Sequence, residues 1–162
     1  MTEPCDTDGA TTPTMVLDTN AVLDLLAFRD PRSDAIRLAL EAGNCRLLAS
    51  AHMRQELVMV LARSTLARFK SSAADLVGRF DELVQYLPAP THTHPVLRCR
   101  DRDDQIFIDF ALAYQVRWLV SHDRDLLTLA RRARRMGLSI VAPPSWRSSD
   151  SQETASGIKP LI

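Results

Sequence analysis

The chain of 162 residues is long enough for one domain with a full hydrophobic core. Hydrophobic residues make up 46% and charged residues 25%, as in ordinary globular proteins, and no apolar run approaches the roughly 20 residues that span a bilayer. Lys plus Arg balance Asp plus Glu, 20 against 20, which argues against a non-specific nucleic-acid coat protein but leaves room for a local basic patch.

Residues 1–13 read as a polar N-terminal extension carrying Glu3, Asp6 and Asp8. They lack the basic start and apolar stretch of a signal peptide, so a cytoplasmic location is expected. Thr14 to Leu17 (TMVL) is a short apolar strand ending at Asp18. A helix with Val22, Leu25 and Leu26 on one side follows, capped by Thr19 or Asn20 and broken at Asp30-Pro31. Ser33 looks like the N-cap of the next helix, and Gly43 its stop.

Cys45 to Ala49 reads as a second buried strand, after which Ser50 caps a helix with Met53, Leu57, Val60 and Leu61 at helical spacing. Helices are expected at about 65–70 and 72–87, then a loop through Pro88, Pro90 and Pro95. A helix over about 103–115 carries Ile106, Phe110 and Ala113 on its apolar stripe. Arg117 to Ser121 is a third strand, followed by a helix over about 124–136 with Leu126, Leu129, Ala130 and Ala133 facing inward. Gly137 ends it before a fourth strand, Leu138 to Val141, and residues 147–162 read as a flexible, largely polar C-terminal tail.

Apolar strands alternating with helices imply right-handed crossovers and strands buried on both faces. The expected fold is α/β, a three-layer α/β/α sandwich with a central, mainly parallel sheet over residues 14–146.

Ligands of such sheets bind beyond the carboxyl ends of the strands. Asp18 directly follows the first strand, Glu56 lies in the second turn of the helix after the second, and Asp123 follows the third. Asp104 sits in the first turn of the helix leading into the third strand. Four carboxylates in one cleft repel one another, and a hard divalent cation such as Mg²⁺ or Mn²⁺ relieves that repulsion while leaving positions for a phosphate. Such an ion stabilises charge on a phosphate and lowers the pKa of its water, so no nucleophilic side chain is required. Each acid also has a simpler reading: Asp18 and Asp123 suit helix caps, Asp104 the favourable first turn of a helix, Glu56 a solvated helix face. Glu56 has no Lys or Arg three or four residues away to pair with.

With these pieces in place, the sequence resembles the PIN-domain family, especially its bacterial branch of toxins from toxin–antitoxin pairs (VapC-like ribonucleases). The matching segments are MVLDTNAVLDLL at 15–26, LLASAHMRQELVMVLAR at 47–63, RDRDDQIFIDFALAYQVRWLVSHDRDLL at 100–127 and GLSIVAPPSW at 137–146. The resemblance implies a Mg²⁺- or Mn²⁺-dependent endoribonuclease in which Asp18, Glu56, Asp104 and Asp123 are the catalytic, metal-binding acids. It makes Asn20 and Ser121 supporting polar residues, with Ser121 standing where Thr is more usual. Within DRDD, Asp104 is preferred over Asp101 and Asp103 because Ala111 follows at the family's spacing. Asp125 is a further candidate near a second ion, although capping also suits it. The resemblance also implies an RNA substrate, a protein antitoxin partner and a homodimer.

Arg124, Arg131 and Arg135 are candidates for RNA binding, with a solvated helix face as the simpler reading. His92, His94 and Cys99 lack a fourth ligand at zinc spacing, and Cys5, Cys45 and Cys99 form no C-x-x-C pair. His52 and His122 flank acidic positions. Trp118 and Trp146 are expected in the core. Two other functions compete: a catalytically inactive PIN-like scaffold that binds RNA or protein, and a phosphatase using an aspartyl intermediate on Asp18. The latter would want a second Asp where Asn20 stands.

Overall fold

The computed structural model describes residues 11–63, 72–93 and 95–148. Most of the N-terminal extension, the helical stretch read at 65–70, His94 and nearly all of the C-terminal tail lie outside them.

Five strands form one sheet: β1 (Thr14–Leu17), β2 (Arg46–Ala49), β3 (Val84–Tyr86), β4 (Trp118–Val120) and β5 (Ser139–Val141). Their order is β3-β2-β1-β4-β5 and every pairing is parallel. Met15 lies opposite Leu47 on one side and Trp118 on the other, which fixes the register at the centre. Met15, Val16, Leu119 and Val120 are fully buried, as strands covered on both faces must be.

The chain first steps outward from β1 to β2 and β3, then returns to lay β4 and β5 on the other side of β1. Right-handed crossovers therefore put the helices of the two legs on opposite faces. On the first leg are α1 (Thr19–Leu23), α2 (Asp34–Glu41), α3 (Ala51–Arg63) and α4 (Ala73–Leu83). α3 packs against both α1 and α4. On the second leg, α5 (Gln105–Ala113) packs on β1 and β4, while α6 (Arg124–Leu127) and α7 (Ala130–Arg134) pack on β5.

Several sequence expectations are corrected. The helix read over 72–87 ends at Leu83, and the chain then forms the edge strand β3. Val84 is half-buried while Gln85 and Tyr86 are exposed, so this strand lacks the apolar run of a central one. Ser72 starts α4 with a capping box: its hydroxyl accepts from the Asp75 N–H at 3.1 Å, and the Asp75 carboxylate accepts from the Ser72 N–H at 3.3 Å. The first helix widens into a π turn over Asp24–Phe28 and closes at Arg29 in the left-handed region, φ 49°. Ser33 precedes α2 without a side-chain cap, and Asp30 instead caps the preceding 3₁₀ turn through the Arg32 N–H. The helix read over 124–136 is broken at Thr128 and Leu129 into α6 and α7. Ala113 is exposed rather than on an apolar stripe.

Gly43 and Gly137 end α2 and α7 as expected, both at positive φ (71° and 83°) that residues with a Cβ avoid. Trp118 and Trp146 are buried in T-shaped contact, with centroids 5.3 Å apart and planes at 75°. Cys45 and Cys99 are free thiols, and burial pushes Cys45 up to about 11. Among the described residues no helix is long and apolar enough to cross a membrane.

Candidate metal centre

Strand order reverses at β1, whose neighbours β2 and β4 belong to the two legs of the chain. The crevice beyond the carboxyl ends of β1 and β4 is the position where such sheets take ligands. Asp18 is the first residue after β1, and Ser121, His122 and Asp123 follow β4 directly. A helix returning to a parallel strand runs from the carboxyl edge of the sheet to its amino edge, so the start of α5 brings Asp104 to this same edge. α3 leaves β2 there and carries Glu56 in its second turn.

Asp18 is buried and holds two donors. Its Oδ1 accepts from the Ala21 N–H at 2.7 Å, capping α1, and its Oδ2 accepts from the Ser121 hydroxyl. Ser121 Oγ also accepts from the Asp123 N–H at 2.9 Å, so one buried hydroxyl links the ends of β1 and β4. Asp123 Oδ1 in turn accepts from the Asp125 N–H at 2.6 Å and caps α6. Both Asp18 and Asp123 are helix caps, and these caps fix where their carboxylates stand. Glu56 Oε1 accepts from the Thr19 hydroxyl at 2.8 Å, which ties α3 to α1.

Electrostatics join the four acids. Burial, then the negative charges of Asp123, Asp101, Asp18 and Glu56, push the Asp104 carboxyl up to about 7. Asp18 is also raised, mainly by burial and further by Asp123, although its hydrogen bonds to Ser121 and Ala21 hold it back. Asp104 is partly buried while Asp101 and Asp103 are exposed, and among the described residues its carboxylate accepts no hydrogen bond. Such crowded, oxygen-only donors with unused lone pairs suit a hard divalent cation. Among the described residues no three His, Cys, Asp or Glu side chains converge closely enough to ligate a single ion as placed.

The other predicted residues divide. Ser121 sits inside the network, but Asn20 is exposed on α1, and Thr19 beside it supplies the hydroxyl that reaches Glu56. Arg124, Arg131 and Arg135 are exposed and, among the described residues, form no ion pair; the break between α6 and α7 denies them one continuous helical stripe. His52 and His92 are exposed. Sequence reasoning missed three things: Thr19, the contact between His122 Nε2 and Asp24 Oδ2, and buried Gln105. The Gln105 amide donates to the Leu97 carbonyl at 3.1 Å and to Asp109 Oδ1 at 2.7 Å, and its Oε1 accepts from the Cys99 N–H at 2.7 Å. A polar residue starting a helix that otherwise reads IFIDFALA was the available signal.

No curated protein matches the sequence. Among solved structures it is similar to the crystal structure of VapBC2 from Rickettsia felis bound to a DNA fragment from their promoter. The TM-score is 0.58 at 16% identity, covering 80% of this chain and 98% of that one, a likeness of fold. The family model described as PIN domain matches residues 14–125, which include Asp18, Glu56, Asp104 and Asp123. The chain belongs to the PIN-domain family, whose members are generally nucleases.

Proposed function

We propose that this protein is a divalent-metal-dependent endoribonuclease, the toxin component of a toxin–antitoxin pair, with residues 14–146 as its nuclease domain. The observation that carries the reading is the gathering of Asp18, Glu56, Asp104 and Asp123 at the carboxyl edge of β1, β2 and β4, where burial and the other acids push the Asp104 carboxyl up to about 7. Burial and these neighbouring charges favour the protonated form of Asp104, and a bound cation would favour the ionised one. Asp18 and Asp104 are the proposed direct ligands of Mg²⁺ or Mn²⁺, with Glu56 and Asp123 completing the site. When bound, that ion supplies positive charge for a scissile phosphate and lowers the pKa of water beside it. Ser121 keeps Asp18 and the Asp123 backbone in register across β1 and β4, and Thr19 holds Glu56 toward the edge. Family resemblance supports RNA as substrate, a cytoplasmic setting and a homodimer. The VapBC2 neighbour supports a partner of the antitoxin kind.

The test is cleavage of labelled single-stranded and structured RNAs in Mg²⁺, Mn²⁺ or EDTA, alongside Asp18→Asn and Asp104→Asn variants verified as folded. Metal-dependent cutting that disappears in both variants is expected. Cutting that survives in both would place the activity elsewhere. Metal binding without cleavage of any RNA would favour a scaffold that binds but does not cut.

A further inference from the structure

Residues 95–104 deliver Asp104 to the sheet edge, and this loop is firmly built. Leu97 is fully buried and Cys99 half-buried, whereas Arg98, Arg100 and Arg102 are exposed. Over residues 97–100 that alternation is what an extended segment gives when one side packs on the core, and Arg102 follows in the exposed turn before α5. Arg132 on α7 donates from Nη2 to the Val96 carbonyl at 2.7 Å, and Gln105 grips Leu97 and Cys99 from below. The Asp103 N–H donates to Asp101 Oδ1 at 2.9 Å and turns the chain into α5.

Some surface arginines near acids pair with them, Arg32 with Asp30, Arg37 with Asp34 and Arg54 with Asp81, whereas Arg124, between Asp123 and Asp125, forms no salt bridge among the described residues. Arg98, Arg100 and Arg102 alternate with or precede Asp101 and Asp103, yet among the described residues they form no salt bridge. Arg102 stands two residues before Asp104, so the segment ends at the acidic edge. A row of unpaired guanidiniums on a pinned backbone gives planar donors matched to phosphate oxygens, with less mobility to lose on binding than a slack loop would have.

We propose that Arg98, Arg100 and Arg102 form a binding wall for the phosphodiester backbone of single-stranded nucleic acid running beside the carboxylate site. The proposal rests on the nuclease reading for the choice of polyanion. A protein surface is the less favoured occupant, because the wall continues into the edge where the nuclease reading places a phosphate.

The test measures binding of a short fluorescent oligouridylate by full-length protein in an Asp104→Asn background, which lessens the acidity of the cleft. R98Q/R100Q/R102Q is compared with its parent over a salt series, and the triple Arg→Lys variant serves as a charge-preserving control. The Gln variant should bind at least tenfold more weakly at low salt, with the slope of log affinity against log salt reduced by about 2, as for three lost phosphate contacts. The Lys variant should keep most of the slope, and thermal midpoints should be alike because all three side chains are exposed. An unchanged slope, or no binding by the parent protein, overturns the wall. So does an acidic peptide that needs these arginines when RNA does not. Cleavage by protein with native Asp104 is scored separately: cutting with an unchanged slope refutes the wall and spares the nuclease reading. An arginine-dependent slope without cutting does the reverse.

Discussion

Asp104→Asn should make the cation-free protein more stable at pH 8 and leave it almost unchanged near pH 4. The Asp104 carboxyl rises from 3.8 to about 7 on folding. Between those values the folded state keeps a proton that the unfolded state has released, so stability falls as pH rises through this window, and the loss is complete above about 7. The full shift corresponds to a ceiling of about 4 kcal/mol. Asp104 is partly exposed, and solvent screening brings the expected cost down to about 1–2 kcal/mol. Asparagine keeps the shape and removes the charge, so the midpoint of thermal unfolding should rise by about 2–8 °C at pH 8 in EDTA. Differential scanning of both proteins at pH 8 and pH 4 reads the effect directly. Mg²⁺ added at pH 8 should reverse the order, because it stabilises the folded wild type through the charge that the variant lacks. A variant equal to or less stable than wild type at pH 8 in EDTA would show that the acids do not crowd one another, and the argument for a cation would lose its main support.

Thr19→Val removes the hydroxyl that holds Glu56, and calorimetric titration with Mn²⁺ should show affinity reduced about 10–100-fold. Folding should change by no more than about 1.5 kcal/mol. Ser121→Ala leaves the Asp123 N–H and one Asp18 oxygen without their partner; urea unfolding should give a loss of about 1–3 kcal/mol, with RNA cleavage reduced in the same variant. Trp146→Ala opens a void against Trp118 and should cost about 3–5 kcal/mol in urea, with near-ultraviolet circular dichroism reporting the broken ring pair.

What could be read from sequence follows how local each signal is. The three interior strands announce themselves because burial on both faces demands unbroken apolar runs, as in TMVL and RLLA. β3 pairs through its backbone with β2 but leaves Gln85 and Tyr86 exposed, so the helical pattern before it runs on unchecked. Asp18, Asp104 and Asp123 lie just after strands or at helix starts and Glu56 in the second turn of a helix that follows a strand, positions that chain order alone marks. Their supports do not. Thr19 reaches a residue 37 positions away and His122 one 98 away, and only the assembled sheet brings those pairs together. In D-T-N the exposed Asn20 amide is legible as a motif residue, whereas the buried Thr19 hydroxyl beside it shows its partner only in the folded chain. DRDD offered three equivalent acids, and partial burial distinguishes Asp104 from its exposed neighbours.

The strand order also has a consequence during synthesis. β1, β2 and β3 can associate as soon as they leave the ribosome, but β4 must later dock on the free edge of β1. Until then Asp18 and Glu56 wait without Ser121 or Asp123. On the proposed function, a nascent chain stopped before Trp118 is an incomplete enzyme and a harmless one. Its vulnerable feature is the bare flank of β1, whose Met15, Val16 and Leu17 would recruit other strands until β4 arrives. Chaperones that cover extended apolar segments would be expected to bind the growing polypeptide in that interval and release it once β4 has docked.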